Sequence, residues 1–181
     1  MQRAAQRTGG SSMTGRVVEE HDPAASVVRK RRITARNEAT MRTDFEVVAD
    51  TLVASHRFTT DEPVGGGGTG AGPTPLTTVL AALCGCESVT FNRTAAEMGL
   101  AYTSIDFIAD YTIDIRGRNG DRAVRPHFQS VRMEATVTTE ASAEELAAVV
   151  AETEARCPVF NLLSDASVNI QTVWIRRDPT A

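Results

Sequence analysis

The chain has 181 residues, 41% hydrophobic and 23% charged, with a formal net charge of −4. This is the balance of an ordinary globular protein, at a length suited to one domain with a tail. The negative charge offers no footprint for nucleic acid or an anionic membrane surface, and no apolar run approaches the ~18 residues of a membrane span. Three cysteines, Cys84, Cys86 and Cys157, have the wrong parity for a secreted disulfide scaffold and match no zinc-ribbon spacing. A reducing compartment, the cytoplasm, is therefore expected.

Residues 1–28 carry almost no large apolar side chain and include the helix-breaking Asp22-Pro23. They are expected to form a disordered tail, with a single domain over 29–181. The basic run Arg29-Lys30-Arg31-Arg32 holds too few charges for a nucleic-acid patch and reads as a solvated entry into the first strand. From Ile33 to Thr60, β-branched and aromatic residues alternate with polar ones, as in Phe45-Glu46-Val47. Three short antiparallel strands are predicted, with a turn near Ala49-Asp50. Asp61-Glu62-Pro63 and the glycine-rich run from Gly65 to Gly72 then predict a long flexible loop. The run does not suit a phosphate cradle, because Pro73 follows its last glycine where a P-loop needs Lys and Ser/Thr.

Between Pro75 and Met98 apolar residues recur at three and four, among them Leu76, Leu80, Leu83 and Phe91, with Gly99 as a stop. A helix of roughly 22 residues is predicted. Nearly every residue from Leu76 to Val89 is small or apolar, so this helix is expected to be buried on more than one face, at the centre of the molecule. Ile105–Ile115 and Phe128–Val137 alternate around a loop with Asn119-Gly120 at its tip, which predicts a hairpin. Ser142 and Glu145 have the capping-box spacing that starts a second helix, and Cys157-Pro158 is predicted to end it. A short turn, Val159–Leu163, and a last strand, Val168–Ile175, complete the order β-β-β-α-β-β-α-β. The fold class is α+β with a mainly antiparallel sheet.

Few residues suggest chemistry. No Gly-x-Ser-x-Gly elbow is present, and His21, His56 and His127 fall in the tail, a strand and a turn, without metal-ligand pairing. Cys84 and Cys86 stand two apart on a helix and point ~200° away from each other. Neither a metal nor a cofactor is expected. A cysteine on an apolar helix is by default a small hydrophobe, a description that fits Cys86. Cys157, at a helix end beside Pro158, is less ordinary.

Taken in order and spacing, Thr60-Asp61-Glu62-Pro63, the glycine-rich run, Gly72-Pro73-Thr74-Pro75, Ala81-Ala82-Leu83-Cys84-Gly85-Cys86 and Cys157-Pro158-Val159-Phe160-Asn161 resemble the OsmC/Ohr superfamily of thiol peroxidases, over residues 33–176. The resemblance implies an OsmC-like fold in which the sheet wraps around the long central helix. It also implies an intertwined homodimer with active sites at the subunit interface. Carried over to this chain, it makes Cys86 the peroxidatic cysteine, Cys157 the resolving cysteine and Cys84 a packing residue. The implied chemistry is attack of the Cys86 thiolate on a peroxide O–O bond, condensation of the resulting sulfenic acid with Cys157, and reduction by an external dithiol.

Cys86 lies near mid-helix, beyond reach of the N-terminal dipole, so its thiolate needs a cation. The family's hairpin arginine maps to Arg42, with Arg36 as the alternative. The family's first-turn Glu, which holds that arginine, is replaced here by Leu76 and Thr77. Glu87, Asp61 and Glu62 are the acids that could take its place. The function implied is a cytoplasmic homodimeric peroxidase acting on organic hydroperoxides. The alternative is a non-catalytic dimer that binds a small apolar or thiol ligand, or a redox sensor.

Overall fold

A computed structural model describes residues 30–50 and 53–179. The tail expected over 1–28 lies outside these residues. The elements are β1 (Ile33–Asn37), β2 (Thr43–Val47), β3 (His56–Thr60), α1 (Pro75–Met98), β4 (Ser104–Ile113), α2 (Ile115–Arg118), β5 (Phe128–Thr138), α3 (Ala143–Arg156), α4 (Pro158–Asp165) and β6 (Asn169–Arg177). Among the described residues no helix is long and apolar enough to cross a membrane.

The strands form two three-stranded sheets. β1-β2-β3 is an antiparallel meander, in which Phe45 lies opposite Phe58 and their rings stack at 4.8 Å. Its extensive contacts are among its own strands, and Phe58 remains 40% exposed. In the second sheet β4 and β5 form the expected hairpin, with a single turn of helix, α2, in its loop. β6 then pairs parallel to β5, because the chain between them crosses over through helices and so returns in the same direction. The sheet content is thus mainly antiparallel with one parallel pair.

α1 matches its sequence signals at both ends. The Thr74 hydroxyl accepts from the Thr77 N–H, Pro75 supplies a first-turn residue that needs no amide partner, and Gly99 closes the helix at φ 76°. Leu80, Leu83, Glu87, Phe91, Thr94 and Ala95 form one buried stripe against α3, α4 and β4. The expectation of burial on more than one face is corrected for the single protomer: Ala81, Ala82 and Gly85 are exposed and Val89 is 53% exposed. Two clusters fill the interior, one around Leu83, Val131 and Met133 and one around Phe91, Val137 and Val149, with Trp174 packed against both. Phe91 and Trp174 stack at 5.3 Å, which fixes the middle of α1 over β6.

Two local expectations are also corrected. Val159–Leu163 is not a turn but part of α4. Pro158 ends α3, and because its ring needs no amide partner it also serves as the first residue of α4. The glycine-rich segment is organised rather than featureless. The Asp61 carboxylate, fully buried, accepts from the Thr69 hydroxyl at 2.6 Å, the Thr69 N–H at 2.9 Å, the Ala71 N–H at 3.2 Å and the Glu62 N–H at 2.9 Å. The chain curls so tightly that a β-carbon on Gly68 would stand 1.9 Å from the Glu62 carbonyl oxygen. Glycine is required there by contact with backbone.

Candidate active site

Cys86 sits on α1, half-buried, at the edge of the inward stripe. The next residue, Glu87, is four after Leu83 and four before Phe91, so helical geometry turns it fully inward, where it is 0% exposed. Neither carboxylate oxygen has a hydrogen-bond partner. Burial pushes its carboxyl up to about 7, with the neighbouring Cys157 thiol acting against that rise and the Glu154 charge adding to it.

Cys157 approaches from the corner between α3 and α4 and is also 0% exposed. It caps α4 with sulfur, accepting the Phe160 N–H at 3.5 Å. Asn161 locks the corner by donating to the Glu154 carbonyl at 3.0 Å and the Cys157 carbonyl at 2.8 Å. The Glu154 carboxylate accepts from Thr172 at 2.6 Å and from the Trp174 indole at 3.1 Å, tying α3 to β6. Burial pushes the Cys157 thiol up to about 12. The Phe160 N–H opposes this, while hydrogen bonds to Cys86 and Glu87 raise it further. The thiol therefore stays protonated, with Cys86 and Glu87 as its neighbours. Cys84 is half-buried against the Leu83 cluster, and its thiol is pushed up by burial and then by the Glu87 charge.

Arg42 is not part of this cluster within the protomer. It pairs with Asp44 at 2.8 Å, about half exposed, and its further charged neighbours are Asp61 and Glu38. Arg36 pairs with Glu38 at 2.9 Å and is more exposed still. Both arginines line an open groove of about 500 Å³ on the first sheet, together with Phe45, Arg57 and Phe58. None of the three acids considered as replacements for the family Glu is hydrogen-bonded to Arg42. Glu87 is sealed against Cys157, Asp61 holds its own loop, and Glu62 pairs with Arg118 at 3.0 Å. Asp44 is the carboxylate that actually holds Arg42.

Comparison with known proteins agrees with this architecture. The family model described as OsmC-like protein matches residues 66–173. Among solved structures, an OsmC-like protein from Mycoplasma pneumoniae superposes with a TM-score of 0.63 at 20% identity, covering 81% of this chain and 98% of that one. An organic hydroperoxide resistance protein from Legionella pneumophila gives 0.60 at 16% identity, with 82% and 98% covered. The organic hydroperoxide resistance protein OhrB of Bacillus subtilis gives 0.51 at 14% identity, also with 82% and 98% covered. No curated protein matches. With more than half its length matched by that one family model and its fold shared with these structures, the chain belongs to the OsmC-like protein family.

Proposed function

We propose that the protein is a cytoplasmic thiol-dependent peroxidase that reduces organic hydroperoxides. The observation that carries this reading is the meeting of two thiols from distant parts of the chain. Cys86 is half-buried and open to a small substrate, and Cys157 is sealed directly beside it. Cys86 attacks the distal oxygen of the peroxide as a thiolate, releases the alcohol and becomes a sulfenic acid. Cys157, held by its corner rather than by a mobile loop, condenses with it to a disulfide, and an external dithiol restores both thiols by exchange.

The cation that such a thiolate needs is Arg42, supplied within a homodimer by the partner subunit. Two features support the dimer: the uncovered face of α1 at Ala81, Ala82, Gly85 and Val89, and a first sheet whose extensive contacts, among the described residues, are within its own strands. The stacked Phe45 and Phe58 beside the arginines suit an alkyl peroxide better than hydrogen peroxide.

A second reading, a non-catalytic dimer acting as a ligand-binding module or thiol sensor, is favoured by the absence of any acid in the first turn of α1. Peroxide consumption by the full chain in the presence of a small dithiol separates the two. A peroxidase turns over cumene hydroperoxide many times per subunit, prefers it to hydrogen peroxide, and falls to background in Cys86→Ser. A sensor consumes at most one equivalent.

A further inference from the structure

A buried carboxylate without a counter-ion is costly, because desolvation disfavours its charge and nothing returns the lost hydration. Glu87 is in that position. It is 0% exposed, its oxygens meet no N–H or O–H group, and among the described residues no arginine or lysine pairs with it. An apolar residue would continue the Leu83–Phe91 stripe with better packing. The polar group nearest to Glu87 from another element is the Cys157 thiol, which is equally sealed.

We propose that Glu87 is the general base of the resolving step, taking the proton from Cys157 as that sulfur attacks the Cys86 sulfenic acid. The inference rests on the two-cysteine peroxidase reading above. In the step, the Cys157 S–H bond breaks and its proton passes to the Glu87 carboxylate. The electron pair left on sulfur forms the S–S bond to Cys86, and the S–O bond of the sulfenic acid breaks with its pair remaining on oxygen. The leaving hydroxide takes the proton from Glu87 and departs as water, which restores the carboxylate. The Cys86 sulfur is reduced from the sulfenic to the disulfide level and the Cys157 sulfur is oxidised to it, so no further redox partner is needed.

The base is needed because Cys157 is a poor nucleophile as it stands. Only its thiolate attacks, and burial holds that thiol protonated, pushed up to about 12. The N-terminus of α4 favours the thiolate through the Phe160 N–H, but this does not offset burial. A base that titrates near the working pH is the most effective partner for such a proton, and Glu87 is pushed up to about 7. The other titratable groups facing it are Glu154 from α3, which is occupied by Thr172 and Trp174, and Cys84 and Cys86 on its own helix.

The test is a rapid-mixing experiment on the reduced full-length chain with one equivalent of cumene hydroperoxide, quenched at intervals between pH 5.5 and 8.5. Sulfenic acid is trapped with dimedone and disulfide is measured by non-reducing peptide mapping. In the wild type, disulfide formation should rise along a base limb with its midpoint near pH 7. In Glu87→Gln, which keeps the shape of the side chain, Cys86 should still consume peroxide while the dimedone adduct accumulates. Disulfide formation there should slow by roughly 100-fold or more, and the limb should vanish. The wild-type pH profile keeps the test valid if the variant folds poorly. A wild-type profile without that limb, or a Glu87→Gln protein that closes the disulfide at the wild-type rate across the range, overturns the proposal. If the wild type forms no sulfenic acid at all, the peroxidase reading itself fails, and that outcome is distinct from a failure of Glu87.

Discussion

The first sheet and the α1–α3–α4 interior are built in opposite ways. β1–β3 carries its arginines at the surface, pairs them with carboxylates in the same sheet, and leaves an aromatic stack partly exposed. The interior seals Cys157 and Glu87 completely and braces their corner through Asn161 and Glu154. In the function proposed above, the thiol half of the site is complete within one protomer, whereas the cationic half is not. The proposal has a second subunit bring its sheet to the first subunit's helix to assemble such a divided site.

The largest expected effect comes from breaking the cationic half. Arg42→Ala should lower kcat/KM for an organic hydroperoxide by about 100-fold, the scale of losing one charge aimed at a reacting centre. A mixed dimer of Arg42→Ala with Cys86→Ser subunits sharpens the comparison. If the arginine crosses between subunits, one intact site forms and activity returns to about half. If the arginine acts within its own chain, the mixed dimer stays inactive.

The sealed half predicts a smaller, pH-dependent effect. The Glu87 carboxyl is raised from 4.5 to about 7 by burial, so the folded protein holds a proton there that the unfolded chain has released. The associated stability is present in full below about pH 4.5 and is lost as pH rises through 7. Glu87→Gln should therefore be more stable than the wild type by about 1–3 kcal/mol at pH 8, and nearly equal to it at pH 4.5, as read by urea denaturation. A residue that weakens the fold at working pH while facing the Cys157 thiol is the pattern expected of a functional group.

The smallest effect is a control within the same region. Ser142 accepts from the Glu145 N–H at 3.2 Å while Glu145 accepts from the Ser142 N–H at 2.7 Å, closing the box at the start of α3. Ser142→Ala should cost about 1 kcal/mol and leave disulfide formation unchanged, since the cap stands at the far end of α3 from Cys157.

Much of this organisation is legible in the sequence where one local signal decides one element. Thr74-Pro75 and Gly99 bracket α1, Ser142 with Glu145 starts α3, and the alternation of β4 and β5 marks their hairpin. α4 is harder to read because Pro158 has two roles, and the signal for a stop hides the signal for a start. Val159, Leu162 and Leu163 nonetheless stand at helical spacing behind it. The parallel pairing of β6 follows from the helical crossover, a constraint of connectivity rather than of any residue. The inward turn of Glu87 was readable from its place between Leu83 and Phe91, although its neighbour Cys157 comes from a distant element that no periodicity reveals. The proposed approach of Arg42 to Cys86 across a dimer has no local signature.

The central claim is that Cys86 and Cys157 form a redox pair. It is tested most directly by non-reducing peptide mapping of the reduced protein after one equivalent of an organic hydroperoxide, with Cys86→Ser in parallel. The account predicts a Cys86–Cys157 disulfide within seconds in the wild type and none in the variant. Three thiols still reduced after minutes, or a disulfide that joins Cys84 instead, would contradict it.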